Sequence, residues 1–187
     1  MARRIERIIS KLTGGRKRLL RALPTGTVGA EIGVWKGDFS EQILEIAQPR
    51  KLHLVDPWSF QPDFSDRMFG GKVAKNQGDM DAIFQETQAR LAGHENIRYW
   101  RMSSDDFFAQ LDEPLDWIYI DGNHFYEWVK RDIENALKVI KPGGIVCGDD
   151  YYWHVDGRDH VREAVRDVMV GSAHTLKIVN EQFLIQT

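Results

Sequence analysis

The sequence predicts an α/β protein built as a doubly wound, mostly parallel sheet, and three observations carry that prediction. Short apolar runs of the kind buried in parallel strands alternate with amphipathic helical stretches along most of the chain. Five of these runs end in an acid, a methionine-serine pair or a glycine turn, where open sheets place their ligands. The last two runs follow each other with no helix between them, so the sheet closes on an antiparallel hairpin.

The elements follow in order. Apolar spacing in "RIERIISKL" and "KRLLRALP" predicts two short helices, ended by Pro24 and Gly26. "TVGAEIGV" is the first strand and "SEQILEIAQ" the helix after it, with "KLHLVD" the second strand. The segment 57–78, "PWSFQPDFSDRMFGGKVAKNQG", has no periodicity and is read as a lid or substrate loop. Helix "DMDAIFQETQARLA", strand "NIRYWRM", helix "DDFFAQL" and strand "LDWIYID" continue the alternation, followed by helix "YEWVKRDIENALKVI" and strand "GGIVCGD". Helix "VREAVRDVM" precedes the hairpin of "HTLKIV" and "QFLIQT", turned at "NE".

The chain has 187 residues, 42% hydrophobic and 28% charged, enough for a single domain over 1–187 with a substantial core and too few for a second. A formal charge of −3 argues against a nucleic-acid partner bound across the surface. Charge is uneven, however: over 1–26, Arg3, Arg4, Arg7, Lys11, Arg16, Lys17, Arg18 and Arg21 face the single acid Glu6. This basic start is read as a solvated helix face packed beside the acceptor opening, with peripheral contact to a membrane or polyanion as the alternative. No apolar run approaches a transmembrane span or a signal core, which predicts a cytoplasmic protein. The lone Cys147 lies in an apolar run and is read as a core residue. The oligomeric state is not fixed.

Chemistry concentrates at the strand ends. "AEIGVWKGDFS" has the look of a phosphate loop, yet Trp35 stands where a dinucleotide fingerprint needs its middle glycine. Glu31 precedes Gly33 by two residues, and a carboxylate there disfavours a pyrophosphate but suits a ligand carrying a sulfonium and an ammonium group, S-adenosylmethionine. Asp56, closing the second strand, is placed to accept ribose hydroxyls.

Together with "LHLVD", "DWIYIDGNHFYEWVKRDIENALKVIKPGGIVCGDDYY" and the terminal hairpin, this loop resembles the class I S-adenosylmethionine-dependent methyltransferases, and within them the small single-domain group related to macrocin-type sugar O-methyltransferases. The resemblance implies a Rossmann-like sheet of seven strands whose last is antiparallel. It further implies that Glu31, Gly33, Trp35, Gly37 and Asp121 line the methionine end of the cofactor, that Asp56 holds its ribose, and that Met102, Ser103 and Ser104 lie near its adenine.

Asp121, Asp149 and Asp150 close the fourth and fifth strands, and clustered carboxylates are unfavourable without a cation. An all-oxygen cluster suits a hard ion such as Mg²⁺, and the resemblance implies that such an ion chelates the hydroxyls of a small-molecule acceptor. The alternative leaves Asp149 as a cap and Asp121 ordering its own loop. The related sugar enzymes tend to carry a second acid where this chain has Asn123, which cannot take a proton. His124 is therefore the candidate general base, or else a satisfied loop histidine. His154 and His160 are assigned surface or capping roles. Trp58, Phe60, Phe64, Tyr151, Tyr152 and Trp153 are either acceptor walls or core cover, and Trp100, Trp117 and Trp128 are assigned to the core.

The function these features predict is O-methylation of a small polyhydroxylated acceptor such as a sugar. Two rivals stay open: a cofactor-binding module without turnover, and a nicotinamide-dependent oxidoreductase using Tyr126 and Lys130.

Overall fold

The computed structural model describes residues 14–187. The first predicted helix, with Arg3, Arg4, Arg7 and Lys11, lies outside the described residues. In chain order the elements are α1 Gly15–Leu20, β1 Val28–Ile32, α2 Asp38–Ile46, β2 Lys51–Val55, α3 Gln77–Arg90, β3 Ile97–Trp100, α4 Ser104–Gln110, β4 Leu115–Ile120, α5 Tyr126–Val139, β5 Ile140–Gly148, α6 His160–Met169, β6 Thr175–Val179 and β7 Gln182–Gln186. The strands form one sheet in the order β3-β2-β1-β4-β5-β7-β6. The first five pair in parallel, while β7 is antiparallel to both β5 and β6. This is the mostly parallel, Rossmann-like arrangement the sequence predicts, and its order reverses between β1 and β4.

Strand alternation splits the core into two layers. Val28, Ala30 and Ile32 of β1 and Ile118 and Ile120 of β4 pack with Phe107, Ile133 and Val161 beneath α4, α5 and α6. On the other face Leu52, Leu54, Trp117 and Tyr119 meet Leu19 and Leu20 of α1, Phe39 and Ile43 of α2, and Met80 of α3. Trp117 fits because its neighbour on β1 has no side chain: a Cβ on Gly29 would stand 2.1 Å from the indole ring. Gly29→Ala is therefore expected to overpack the sheet and cost about 1–3 kcal/mol, read as a lower midpoint in urea with an unchanged slope.

Two boundaries differ from the sequence reading. β5 begins at Ile140, ahead of the predicted "GGIVCGD", because Ile140 already pairs with Leu115 before a register shift absorbs Lys141 to Gly144 as a bulge. The segment 57–78 is less irregular than predicted: it contains a 3₁₀ turn, Pro62–Phe64, and a wide turn, Met68–Lys72, with the rings of Phe64 and Phe69 meeting edge to face at 5.8 Å. Trp58 belongs to the core, fully buried against Phe84 at 4.6 Å. Trp128, assigned to the core, is 40% exposed under the guanidinium of Arg131. Among the described residues no helix is long and apolar enough to cross a membrane.

Candidate active site at the strand ends

Four backbone hydrogen bonds bring five strand ends level. The Asp56 amide donates to the Trp100 carbonyl at 3.2 Å, Gly33 to Val55 at 2.8 Å, Asp121 to Ile32 at 2.8 Å and Asp149 to Ile120 at 3.1 Å. Residues scattered from 33 to 149 are thus set side by side along one edge. Gly33 is required there twice over, since its φ is +90° and a Cβ would lie 2.4 Å from the Asp121 carbonyl oxygen. Trp35 adopts a left-handed conformation with φ 55°, and Gly37 follows with φ 77° at the start of α2. The loop turns without its middle glycine because its backbone is held from below.

Asp56 does that holding. One carboxylate oxygen accepts the amides of Val34 at 3.1 Å and Trp35 at 3.0 Å, and the other accepts Trp58 at 2.7 Å. Three of roughly four acceptor sites on a carboxylate are then taken, so the ribose-binding role implied for Asp56 has little capacity left. Burial raises its pKa above the usual range, and the three amides work against that rise. The Trp58 indole N–H and the Thr87 hydroxyl both donate to the Trp35 carbonyl, at 2.9 and 3.1 Å, fixing the loop from α3 as well.

Glu31 is also structural in its contacts. Its side chain is 1% exposed and accepts a 2.5 Å hydrogen bond from the Ser40 hydroxyl, tying β1 to α2 instead of facing open space. Burial pushes its pKa up to about 8; the Ser40 bond and the Arg16 charge oppose this, while Asp121 and Asp56 add to it. The folded carboxyl is therefore protonated where the unfolded one is ionised. Since the unfolded state then binds fewer protons, stability should fall as pH rises from about 4.5 to about 8, by up to ~1.4 kcal/mol per unit. Glu31→Gln should flatten that slope in urea titrations across the window, and equal slopes in the two proteins would count against a protonated Glu31.

The residues implied for adenine have local roles. The Ser103 hydroxyl accepts from the Asp106 amide at 3.1 Å and so caps α4, Ser104 donates to Asp132 at 2.6 Å, and the Met102 sulfur accepts from Gln110 at 3.6 Å. All three sit just past the end of β3, beside the row of strand ends.

The acids behave differently from the sequence expectation. Arg16, counted there in a solvated basic face, turns inward from α1 and bridges two of them. Its Nη2 donates to Asp121 Oδ2 at 2.9 Å and its Nε to Asp149 Oδ2 at 2.7 Å, with a second, closer contact from Nη2 to Asp149. Lys17, Arg18 and Arg21 are the exposed ones. The remaining Asp149 oxygen accepts from Gln182 at 2.7 Å. Burial alone would raise Asp149, but the Arg16 charge and the bonds from Gln182 and the Asp150 amide hold it below the ordinary carboxylate range. Asp121 goes the other way, raised by burial and by the Asp149 charge against the pull of His124 and Arg16.

His124 sits with Nε2 3.4 Å from both Asp121 and Asp150, a spacing of ion pairs more than of close hydrogen bonds. Burial lowers its pKa, yet these acids, joined by the charge of Asp149, outweigh it and leave the imidazole above its usual value. Asn123 has a turn role: its side-chain oxygen accepts from the Phe125 amide at 3.0 Å. His160 accepts from the Tyr126 amide at 3.2 Å, the capping role assigned to it. Over His124 lies a cleft lined by Phe64, Arg67 and Phe69 of the loop, by residues 122–125 after β4, and by Trp153. Arg67 stacks on Phe125 and Trp153 at 5.3 and 5.0 Å. Sequence reading missed Arg67, Phe69 and Phe125, which carry no periodic signal. The Tyr126 hydroxyl donates to Asp167 at 2.6 Å and accepts from Lys130 at 3.3 Å, and neither Tyr126 nor Lys130 lines this cleft.

A family model described as a methyltransferase domain matches residues 30–151. The chain belongs to this methyltransferase family.

Solved methyltransferases share its fold. A putative rRNA methylase from Clostridium thermocellum is 12% identical with a TM-score of 0.64, over 93% of this chain and 96% of that one. The O-methyltransferase TomG from Streptomyces achromogenes, solved with S-adenosylmethionine, is 16% identical with a TM-score of 0.62, over 91% and 78%. The N-methyltransferase NodS from Bradyrhizobium japonicum is 16% identical with a TM-score of 0.58, over 91% and 92%. The likeness spans several acceptor chemistries and does not single out the sugar group. In sequence, an uncharacterized protein y4gI from Sinorhizobium fredii is 33% identical over 82 residues, 40% of this chain but only 9% of that protein's length. Family and fold together make this an S-adenosylmethionine-dependent methyltransferase domain.

The divalent ion expected in this methyltransferase does not fit its acids as they are arranged. Among the described residues no group of three His, Cys, Asp or Glu side chains converges on a cation-sized point. Between Asp121 and Asp149 the space is taken by a guanidinium.

Proposed function

We propose that this methyltransferase transfers the methyl group of S-adenosylmethionine to a hydroxyl oxygen of a small acceptor seated in the cleft between the 57–78 loop and the end of β4. The observation that carries the reading is the placement of His124: one side faces Asp121 and Asp150, and the other lines the aromatic cleft. Flat walls from Phe64, Phe125 and Trp153 suit the face of a sugar or other ring.

In the transfer, an oxygen lone pair forms the new bond to the methyl carbon in line with the departing sulfur. The S–C bond breaks with its electron pair on sulfur, leaving a neutral thioether. The hydroxyl proton passes to the coupled pair of Asp121 and His124, both of which their surroundings make more basic than usual. Enclosure by the loop excludes water and sets the approach angle. The deciding experiment incubates the protein with methyl-labelled S-adenosylmethionine and separate panels of sugars and polyols, phenols, amines and RNA. Label in the first two panels supports the reading. Label only in amines or RNA, or cofactor binding without any transfer, defeats it, the last outcome favouring a module that only binds.

A further inference from the structure

We propose that Arg16 is the built-in cation of this site: supplied by α1, it occupies the position between the β4 and β5 carboxylates and makes the methyltransferase work without a divalent ion. The proposal rests on the reading of this edge as the acceptor side, but it is tested through metal binding, so the two fail separately.

Four observations converge on it. Asp121 and Asp149 are forced together by the level strand ends, and two adjacent carboxylates need positive charge between them. Arg16 meets one oxygen of each, through the fork of a planar guanidinium suited to bridging carboxylates. The oxygens it leaves are used elsewhere, by Gln182 on Asp149 and by His124 on Asp121, so no shared open face is left for an incoming ion. Finally, the guanidinium lies over the Phe39 ring at 4.9 Å, and the helix that carries it is pinned by Leu19 and Leu20, both almost fully buried. The Arg16 side chain keeps 37% of its surface exposed, and it is the ring beside it and the buried helix carrying it that hold it in place.

Two consequences separate this from an ordinary ion pair. A guanidinium cannot be displaced by a chelator, so the acids stay neutralised whatever the metal supply. It also fixes the N-terminal helix to the site: losing Arg16 should open an acidic pocket that a metal can then enter.

The test uses the full chain and Mn²⁺, followed by the loss of its free electron-spin-resonance signal, with S-adenosylhomocysteine binding as the check that the cofactor side is intact. For the unaltered protein, added Mg²⁺ or Mn²⁺ should leave the thermal midpoint unchanged. Arg16→Met, which keeps bulk and loses charge, should bind Mn²⁺ at least ~10-fold more tightly, and Asp149→Asn added to it should remove the gain. The proposal is overturned if the unaltered protein is stabilised by either ion, a result that needs no variant to fold. It is equally overturned if Arg16→Met folds, binds S-adenosylhomocysteine and gains no Mn²⁺ affinity.

Discussion

Asp56→Ala should abolish measurable S-adenosylmethionine binding and lower folding stability by about 3 kcal/mol. The carboxylate accepts three backbone amides, those of Val34, Trp35 and Trp58. Removing it takes away the acceptor of those donors at a point where the chain makes its left-handed turn at Trp35. Each charge-assisted bond is worth about 1.5–3 kcal/mol, but water entering the gap would repay part of the loss. The loop between β1 and α2 then loses its shape, and with it the surface that the resemblance assigns to the cofactor. A domain of this size has about 5–15 kcal/mol in hand, so the variant should still fold and the two effects can be separated: urea titration gives the stability, calorimetry the affinity. A folded Asp56→Ala protein with unaltered cofactor affinity would remove the loop from the binding site.

Asp149→Asn carries the second large effect, on turnover more than on stability. The amide keeps the shape and one acceptor oxygen, yet Arg16 loses the charge of its closer partner and is left with that of Asp121. Asp121 is then drawn toward the guanidinium and away from His124, 3.4 Å from it in the intact site. Misplacing a proton acceptor by about 1 Å can cost ~100-fold, so methyl transfer to a verified acceptor should drop by at least that factor. Cofactor affinity should stay within a few-fold, because the proposed arrangement puts Asp149 on the acceptor side. Transfer within a few-fold of the unaltered protein would mean that the Arg16 clasp has no part in aligning the acceptor.

Much of the fold was legible because hydrophobic periodicity is a local property. Runs such as "LHLV" and "WIYI" announce buried parallel strands by composition alone, and the helix-free gap between the last two runs announces the hairpin. The resemblance to the family is carried the same way: Glu31, Gly33 and Gly37 occur within seven residues, and Trp35 stands where a dinucleotide fingerprint needs its middle glycine. What local sequence cannot give is the direction in which a polar side chain points. Glu31 and Asp56 were correctly placed at strand ends, but their carboxylates turn to Ser40 and to backbone amides, choices settled by which donors the tertiary packing brings near. Trp128 shows the same limit from the apolar side, since a helical position says nothing about which neighbours cover it.

The sequence by itself determined the α/β class, the strand count, the methyltransferase loop and the row of acids at the strand ends, all written in short stretches where chemistry and periodicity are read together. Only the tertiary structure decided what neutralises those acids. Arg16 is 105 residues from Asp121 and 133 from Asp149, one cation among eight in a basic start, and nothing near it in the chain marks it out. It reaches the acids because Leu19 and Leu20 bury α1 against the sheet, and burial of apolar surface, being non-directional, fixes where a helix lies without regard to the charge it carries along.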